Sequence, residues 1–311
     1  MAAATTISKL RDLNSHFEGR KNRARERLKN DWGEGWYFGI IGLLLPLSSY
    51  AFDEVATLEE VEEAPGEIEL AHALKRSDLF GTIGRYSRDI HYQLKVLARE
   101  EDSQFAFSIA WWILSLLRVR TMADFLVPVA LNYSWPTVAG LEARTCEAYF
   151  VEDFPHSKTL TDPTKVSIAD LKWVESHLIG FVQLLENPNF RLAVDSLTTV
   201  QHQVSDRMMV ATLWTGIEAL FNIRSELSFR LATYIATALS SPGPNRMSKF
   251  KEAKKLYDFR SKVIHGEKIT KEPMRKHVIQ VRSILSSILC KYIEAGELFS
   301  EEKLEKELFG C

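Results

Sequence analysis

From Ser167 onward the chain is punctuated at helix spacing, and this punctuation restricts its second half to an all-helical fold. Ser167-Ile-Ala-Asp170 is a variant of the capping box, in which the first and fourth side chains satisfy each other's backbone N–H groups. It opens a helix that runs to about Asn187. Pro188 fits a first helical turn, where its missing N–H costs nothing, and starts the next helix, to about Gln203. Helices follow over 205–222 and 225–240, and Ser241-Pro-Gly-Pro-Asn245 breaks the pattern. Two more helices span about 247–265 and 273–293, with a short amphipathic segment at 300–308.

The first half is less regular. Residues 5–30 read as a basic helix: Lys9 to Lys29 holds eight Lys/Arg and three acids. This helix is either a solvated surface or an arm for RNA or a partner. Asp53 to Glu69 holds eight acids and no Lys or Arg, which predicts a solvated loop or a segment that competes with RNA for a basic site. Thr82 to Arg99 and Gln104 to Arg120 carry helical periodicity, while Val127 to Trp135 and Cys146 to Asp153 carry strand-like residues. Trp111 and Trp112 read as packing residues. The expected fold class is therefore mainly α, with a mostly helical N-terminal domain (1–160) that contains a small β element and a helical domain over 161–311. Asp162-Pro163, in a polar stretch, supplies the boundary.

Composition narrows the function classes. Hydrophobic residues are 46% and charged residues 26%, the balance of a globular protein with a real core. Net charge is −2, so affinity for nucleic acid has to come from local patches. The apolar runs Trp36 to Phe52 and Phe105 to Leu117 are short for a span of ~20 residues and read as core, without membrane contact. Cys146, Cys290 and Cys311 lie far apart and form no CxxC pair, so neither a disulfide framework nor a zinc site is expected and a cytoplasmic location fits. No Walker, GxGxxG, HExxH or GxSxG pattern occurs in its required context, and the histidines lack metal-ligand spacing, so no cofactor is expected. A surface position is expected for His277.

Chemistry concentrates in Leu256-Tyr-Asp-Phe-Arg-Ser-Lys-Val-Ile-His-Gly266, the last turns of a helix. Ser261 and His265, four apart, share a face, and Arg260 sits about 100° to the side. Gly266 reads as the left-handed residue that ends the helix. A titratable ring beside a permanent guanidinium can move protons while the arginine holds a phosphate. The bland alternative is a solvated arginine and a histidine that caps the helix. From Arg246 to Arg282 there are twelve Lys/Arg against four acids. Lys262, Lys268, Lys271, Arg275 and Lys276 thus form a basic surface able to attract RNA by counterion release. Tyr257 is a candidate base-stacking residue, and Phe259 reads as core. Glu218 lies on the apolar helix around Trp214; either it faces water, or it orients Arg260 or an arginine such as Arg230.

Ser205-Asp-Arg-Met-Met209, Leu213-Trp-Thr-Gly-Ile-Glu-Ala-Leu-Phe221, Ser225-Glu-Leu-Ser-Phe-Arg-Leu-Ala232 and the 256–266 segment, in this order and spacing, resemble the HEPN superfamily, in particular its Apea-like branch. The family's Arg-x4–6-His motif falls on Arg260 and His265, and the polar residue after the motif arginine falls on Ser261. The resemblance implies a helical bundle that dimerises or forms a higher homo-oligomer, bringing two motifs to one cleft. It further implies a metal-independent endoribonuclease of bacterial antiviral defence or abortive infection, with Arg260, His265 and Ser261 as catalytic residues and Glu218 behind them. A phage-derived trigger or partner protein would then be read by the N-terminal sensor or regulatory domain. Inactive members of the family bind RNA or a nucleotide without cutting, and that module is the alternative.

Overall fold

A computed structural model of the chain describes residues 15, 18–29, 35–97, 103–152, 164–223 and 227–309. The chain divides into two compact units, Met1–Trp111 with Phe125–Asp153, and Trp112–Asp124 with Phe154–Cys311. Their boundary does not fall at one point near residue 160. The helix α4 (Ser103–Thr121) is continuous, yet its last turns and the residues up to Asp124 belong with the second unit. Asp162-Pro163 lies outside the described residues.

The first unit is built on a six-stranded antiparallel sheet. Its strands are β1 (Trp36–Ile40), β2 (Ser49–Phe52), β3 (Ala56–Glu60), β4 (Tyr92–Val96), β5 (Val129–Leu131) and β6 (Ala148–Phe150), in the order β2-β3-β4-β1-β5-β6. β1 pairs with β4 in the register Phe38 to Leu94 and with β5 in the register Tyr37 to Leu131. Alternation along β1 feeds two apolar layers. Tyr37 packs with Leu70 and Ala73 of α2 (Glu67–Ala73), Ile83 of α3 (Phe80–Ser87), and Trp135. Trp36 and Phe38 face the other way, edge-on to Phe107 of α4 at 5.5 and 5.0 Å, with Tyr149 beside Trp36. The first apolar run thus supplies the buried strand β1 and the more exposed strand β2, and the second the buried part of α4. Among the described residues no helix is long and apolar enough to cross a membrane.

The strands at Val127 to Trp135 and Cys146 to Asp153 occur close to where the sequence places them, but the sheet is larger than the residue pattern predicts. Thr82 to Arg99 is not one helix: α3 ends at Ser87, and Tyr92–Val96 is drawn into the sheet between β1 and β3. The acidic window is not a free loop either; it contains β3 and the start of α2. Its acids answer the basic helix α1 (18–29). Arg20 meets Glu63 and Glu69 at 3.3 and 3.1 Å, Arg23 meets Glu63 at 2.9 Å, and Arg27 meets Glu62 at 2.5 Å. The hydrogen bond from Arg23, followed by the charges of Arg20, Arg23 and Arg27, holds the Glu63 carboxyl below its usual range. These pairs engage three arginines of α1 and three acids of the window; residues 5–14 of the expected basic helix lie outside the described residues.

Among the described residues the second unit is helical apart from the two-residue strand Thr164–Lys165, and its local signals match the sequence closely. Ser167 caps α5 (Ile168–Leu184) in a reciprocal box with Asp170, and Asn187 caps α6 (Pro188–Thr199), which opens on Pro188. Ser205 caps α7 (Asp206–Phe221). Then come α8 (Leu227–Leu239), α9 (Pro244–Ile264), α10 (Lys271–Ala295) and α11 (Glu301–Phe309). α7 and α10 form the centre: α7 packs on α6, α9 and α10, and α10 reaches α5, α6 and α8 as well. The close approach of α6 and α7 requires Gly216, since a Cβ there would lie 2.8 Å from Ser196 Cβ. The chain is mainly α in class.

Candidate active site

α9 ends as a glycine-terminated helix should. His265 is the C-cap and Gly266 follows at φ +83°. Gly266 N–H donates to Val263 O at 3.2 Å and Glu267 N–H to Lys262 O at 3.0 Å, the two bonds of a Schellman motif. His265 is exposed, and its imidazole makes no hydrogen bond among the described residues. A side chain also grips this turn. Arg207, in the first turn of α7, donates through Nη1 to Val263 O at 2.7 Å and through Nη2 to Glu267 O at 2.6 Å. The histidine is therefore not the cap of this helix through its side chain.

Arg260 takes a different neighbourhood. Its Nη2 lies 3.1 Å from Glu218 Oε1 on α7, both side chains being 25% exposed. Its Cζ stands 5.4 Å from the centre of the Tyr257 ring. Of the two sequence readings of Glu218, the structure selects pairing with Arg260; Arg230 instead pairs with Glu301 of α11. Tyr257 is buried, with Trp214 edge-on at 5.2 Å. Its ring is not available to stack a base, which corrects the expectation from sequence: the residue belongs to the floor under Arg260. Burial, and next the Glu218 charge, raise the Tyr257 hydroxyl above the usual phenol pKa, so it stays protonated and can donate. The buried Arg260 Nε–H has no acceptor among the described residues.

Within one chain Arg260, Glu218 and Tyr257 thus form a cluster. His265 sits five residues on, about 7.5 Å further along the axis. No hydrogen bond or ion pair joins that cluster to Ser261 or His265 among the described residues. Ser261 is half-buried. Lys262, Lys268, Lys271, Arg275 and Lys276 are all exposed, and the four lysines form no ion pair among the described residues. An apolar groove of about 480 Å³ in the second unit, lined by Phe229, Met247, Phe250 and Phe309 among others, contains none of these side chains.

His277 was expected at the surface and is 2% exposed. It accepts a hydrogen bond from Trp214 Nε1 at Nε2 (3.1 Å) and stacks on Phe259 at 4.5 Å. The signal for it lies in α10, where Met274, His277, Val278, Val281 and Leu285 make one buried stripe at helical spacing. His277 thus supports the helix that carries the motif from inside the unit. Among the described residues no group of three or more His, Cys, Asp or Glu is placed to hold a metal. No family model, no curated protein and no solved structure matches the chain.

Proposed function

We propose that the chain is a metal-independent endoribonuclease of HEPN type, acting in bacterial antiviral defence or abortive infection. The observation that carries the reading is the His265 imidazole: exposed, without a hydrogen bond among the described residues, at a helix end already held by Gly266 and Arg207, and surrounded in sequence by exposed lysines that form no ion pair among the described residues. A ring with no structural duty on a cationic surface is suited to proton transfer at a phosphodiester. The RNA 2′-hydroxyl loses its proton and attacks the adjacent phosphorus. The bond to the 5′-oxygen breaks, and that oxygen takes up a proton. The products carry 2′,3′-cyclic phosphate and 5′-hydroxyl ends. His265 is the general acid or base, Arg260 balances charge on the phosphorane-like transition state, and Ser261 bonds the phosphate. Glu218 orients Arg260. A homodimer or higher oligomer brings a second motif to the cleft, and the first unit recognises a phage-derived trigger.

A second reading has its own observation. The Arg260 guanidinium is engaged with Glu218 and is not in contact with His265 in one chain, an arrangement compatible with gripping phosphate without cutting it. RNA cleavage in EDTA separates the two. His265→Ala and Arg260→Ala are each expected to lower the rate by about 100-fold, with 2′,3′-cyclic phosphate ends on the wild-type products. Binding without cleavage by the wild type would make the chain a non-catalytic RNA- or nucleotide-binding module.

A further inference from the structure

The last four carbonyls of a helix have no partner within it and must be met from outside. At the end of α9 the Schellman bonds already engage Lys262 O and Val263 O; the Arg207 fork adds a second donor to Val263 O and reaches past the helix end to Glu267 O. The placement of the fork is specific. It spans a carbonyl two residues before His265 and one two residues after it, so the turn carrying the imidazole is gripped from both sides. The root of the fork is itself fixed. Arg207 is the second residue of α7, whose first turn is held by Ser205 Oγ accepting from Met208 N–H at 3.2 Å. α7 is also the helix that carries Glu218, so one element holds both the partner of Arg260 and the clamp around His265.

We infer that Arg207 is a positioning residue. Its guanidinium, closed on the carbonyls of Val263 and Glu267, fixes the turn that presents His265. This rests on the proposed catalytic role of His265 for its consequence in turnover, but not for its geometry. A lysine cannot replace the arginine here. An ammonium is a point donor, whereas two carbonyls on either side of a turn call for a planar fork with two parallel N–H groups. Arg207→Lys therefore keeps the charge and removes the grip.

The experiment compares the full chain with Arg207→Lys and Arg207→Met, after thermal melts confirm that each variant folds. Two quantities are read: single-turnover cleavage of a fluorescent RNA with its Kd, and backbone amide hydrogen exchange around residues 262–268. In Arg207→Lys the cleavage rate is expected to fall about tenfold while RNA affinity stays within about twofold, a loss of alignment and not of charge. Exchange at the Glu267 amide, which closes the Schellman motif, is expected to rise about tenfold, with the α10 amides unchanged. Arg207→Met is expected to repeat both effects and to weaken RNA binding in addition. Unaltered Glu267 exchange in both variants overturns the inference, whatever the cleavage rate. So does unaltered cleavage by Arg207→Lys in an active enzyme. If the wild type cuts no RNA, the nuclease reading falls, and the amide exchange alone decides whether Arg207 holds the turn.

Discussion

Asp124→Ala is expected to lower the stability of the second unit by about 3–5 kcal/mol, read as a shift of the urea midpoint at unchanged m-value. Asp124 and Arg282 are 3% and 4% exposed at the side chain and lie 2.5 Å apart. Burial lowers the Arg282 pKa, the neighbouring Asp124 carboxylate opposes this, and the charge of Arg118 adds to the lowering. Removing Asp124 takes the carboxylate from the buried Arg282 guanidinium, in an interior with little water to screen it. A buried pair is a poor source of net stability, because desolvation offsets most of the attraction, yet it is costly to break from one side. The double variant Asp124→Leu with Arg282→Met is therefore expected to recover most of the loss. A single variant as stable as the wild type would mean that the pair is hydrated in solution.

Acid is expected to destabilise the protein through His277 well before the carboxylates titrate. Burial lowers its pKa from 6.5 to about 4. The folded chain keeps the ring neutral, with Nε2 accepting from Trp214, while the unfolded chain takes up a proton below about 6.5. The unfolded state thus binds more protons in this interval. The associated stability is fully present above pH 6.5 and is lost as the pH falls toward 4. A gap of about 2.5 units at ~1.36 kcal/mol per unit comes to about 3 kcal/mol. Protonation would also set a second donor against the indole N–H. Urea unfolding from pH 7.5 to 4.5 measures the slope. His277→Gln, which keeps an acceptor but has no charge to gain, is expected to flatten it. An equal slope in the variant would assign the acid sensitivity elsewhere.

What the sequence reveals here follows the range of the interactions involved. Ser167, Asn187 with Pro188, Ser205 and Gly266 act within a turn of themselves, so the helices of the second unit and the terminus at His265 could be read directly. The sheet could not. β1 is buried along its whole length and shows no polar alternation, and β4 gains its identity from pairing with residues over fifty positions away in the sequence, such as Trp36 with Val96. The acids of 53–69 look like a solvated loop until α1 is opposite them. At the site, the motif residues stand out by type and spacing. The choice between Glu218 facing water, Arg230 or Arg260 depended on how α7 and α9 meet, and the Arg207 fork closes over more than fifty residues. His277 and Arg282 are polar residues on the apolar stripe of α10, a pattern that marks buried polar groups without naming their partners.

The short stretch after Trp111 decides where this protein can be cut. Ser286 Oγ on α10 donates to Val119 O at 2.7 Å, and Arg282 finds its counter-ion at Asp124. A fragment trimmed to begin at 161 would strip α10 of both anchors and expose a buried cation, although it retains Arg260, His265 and every helix from α5 onward. The residues proposed for catalysis and the anchors of α10 thus lie in different parts of the chain, so a shortened version that fails to cut RNA would say nothing about the proposed site until residues 112–124 had been put back.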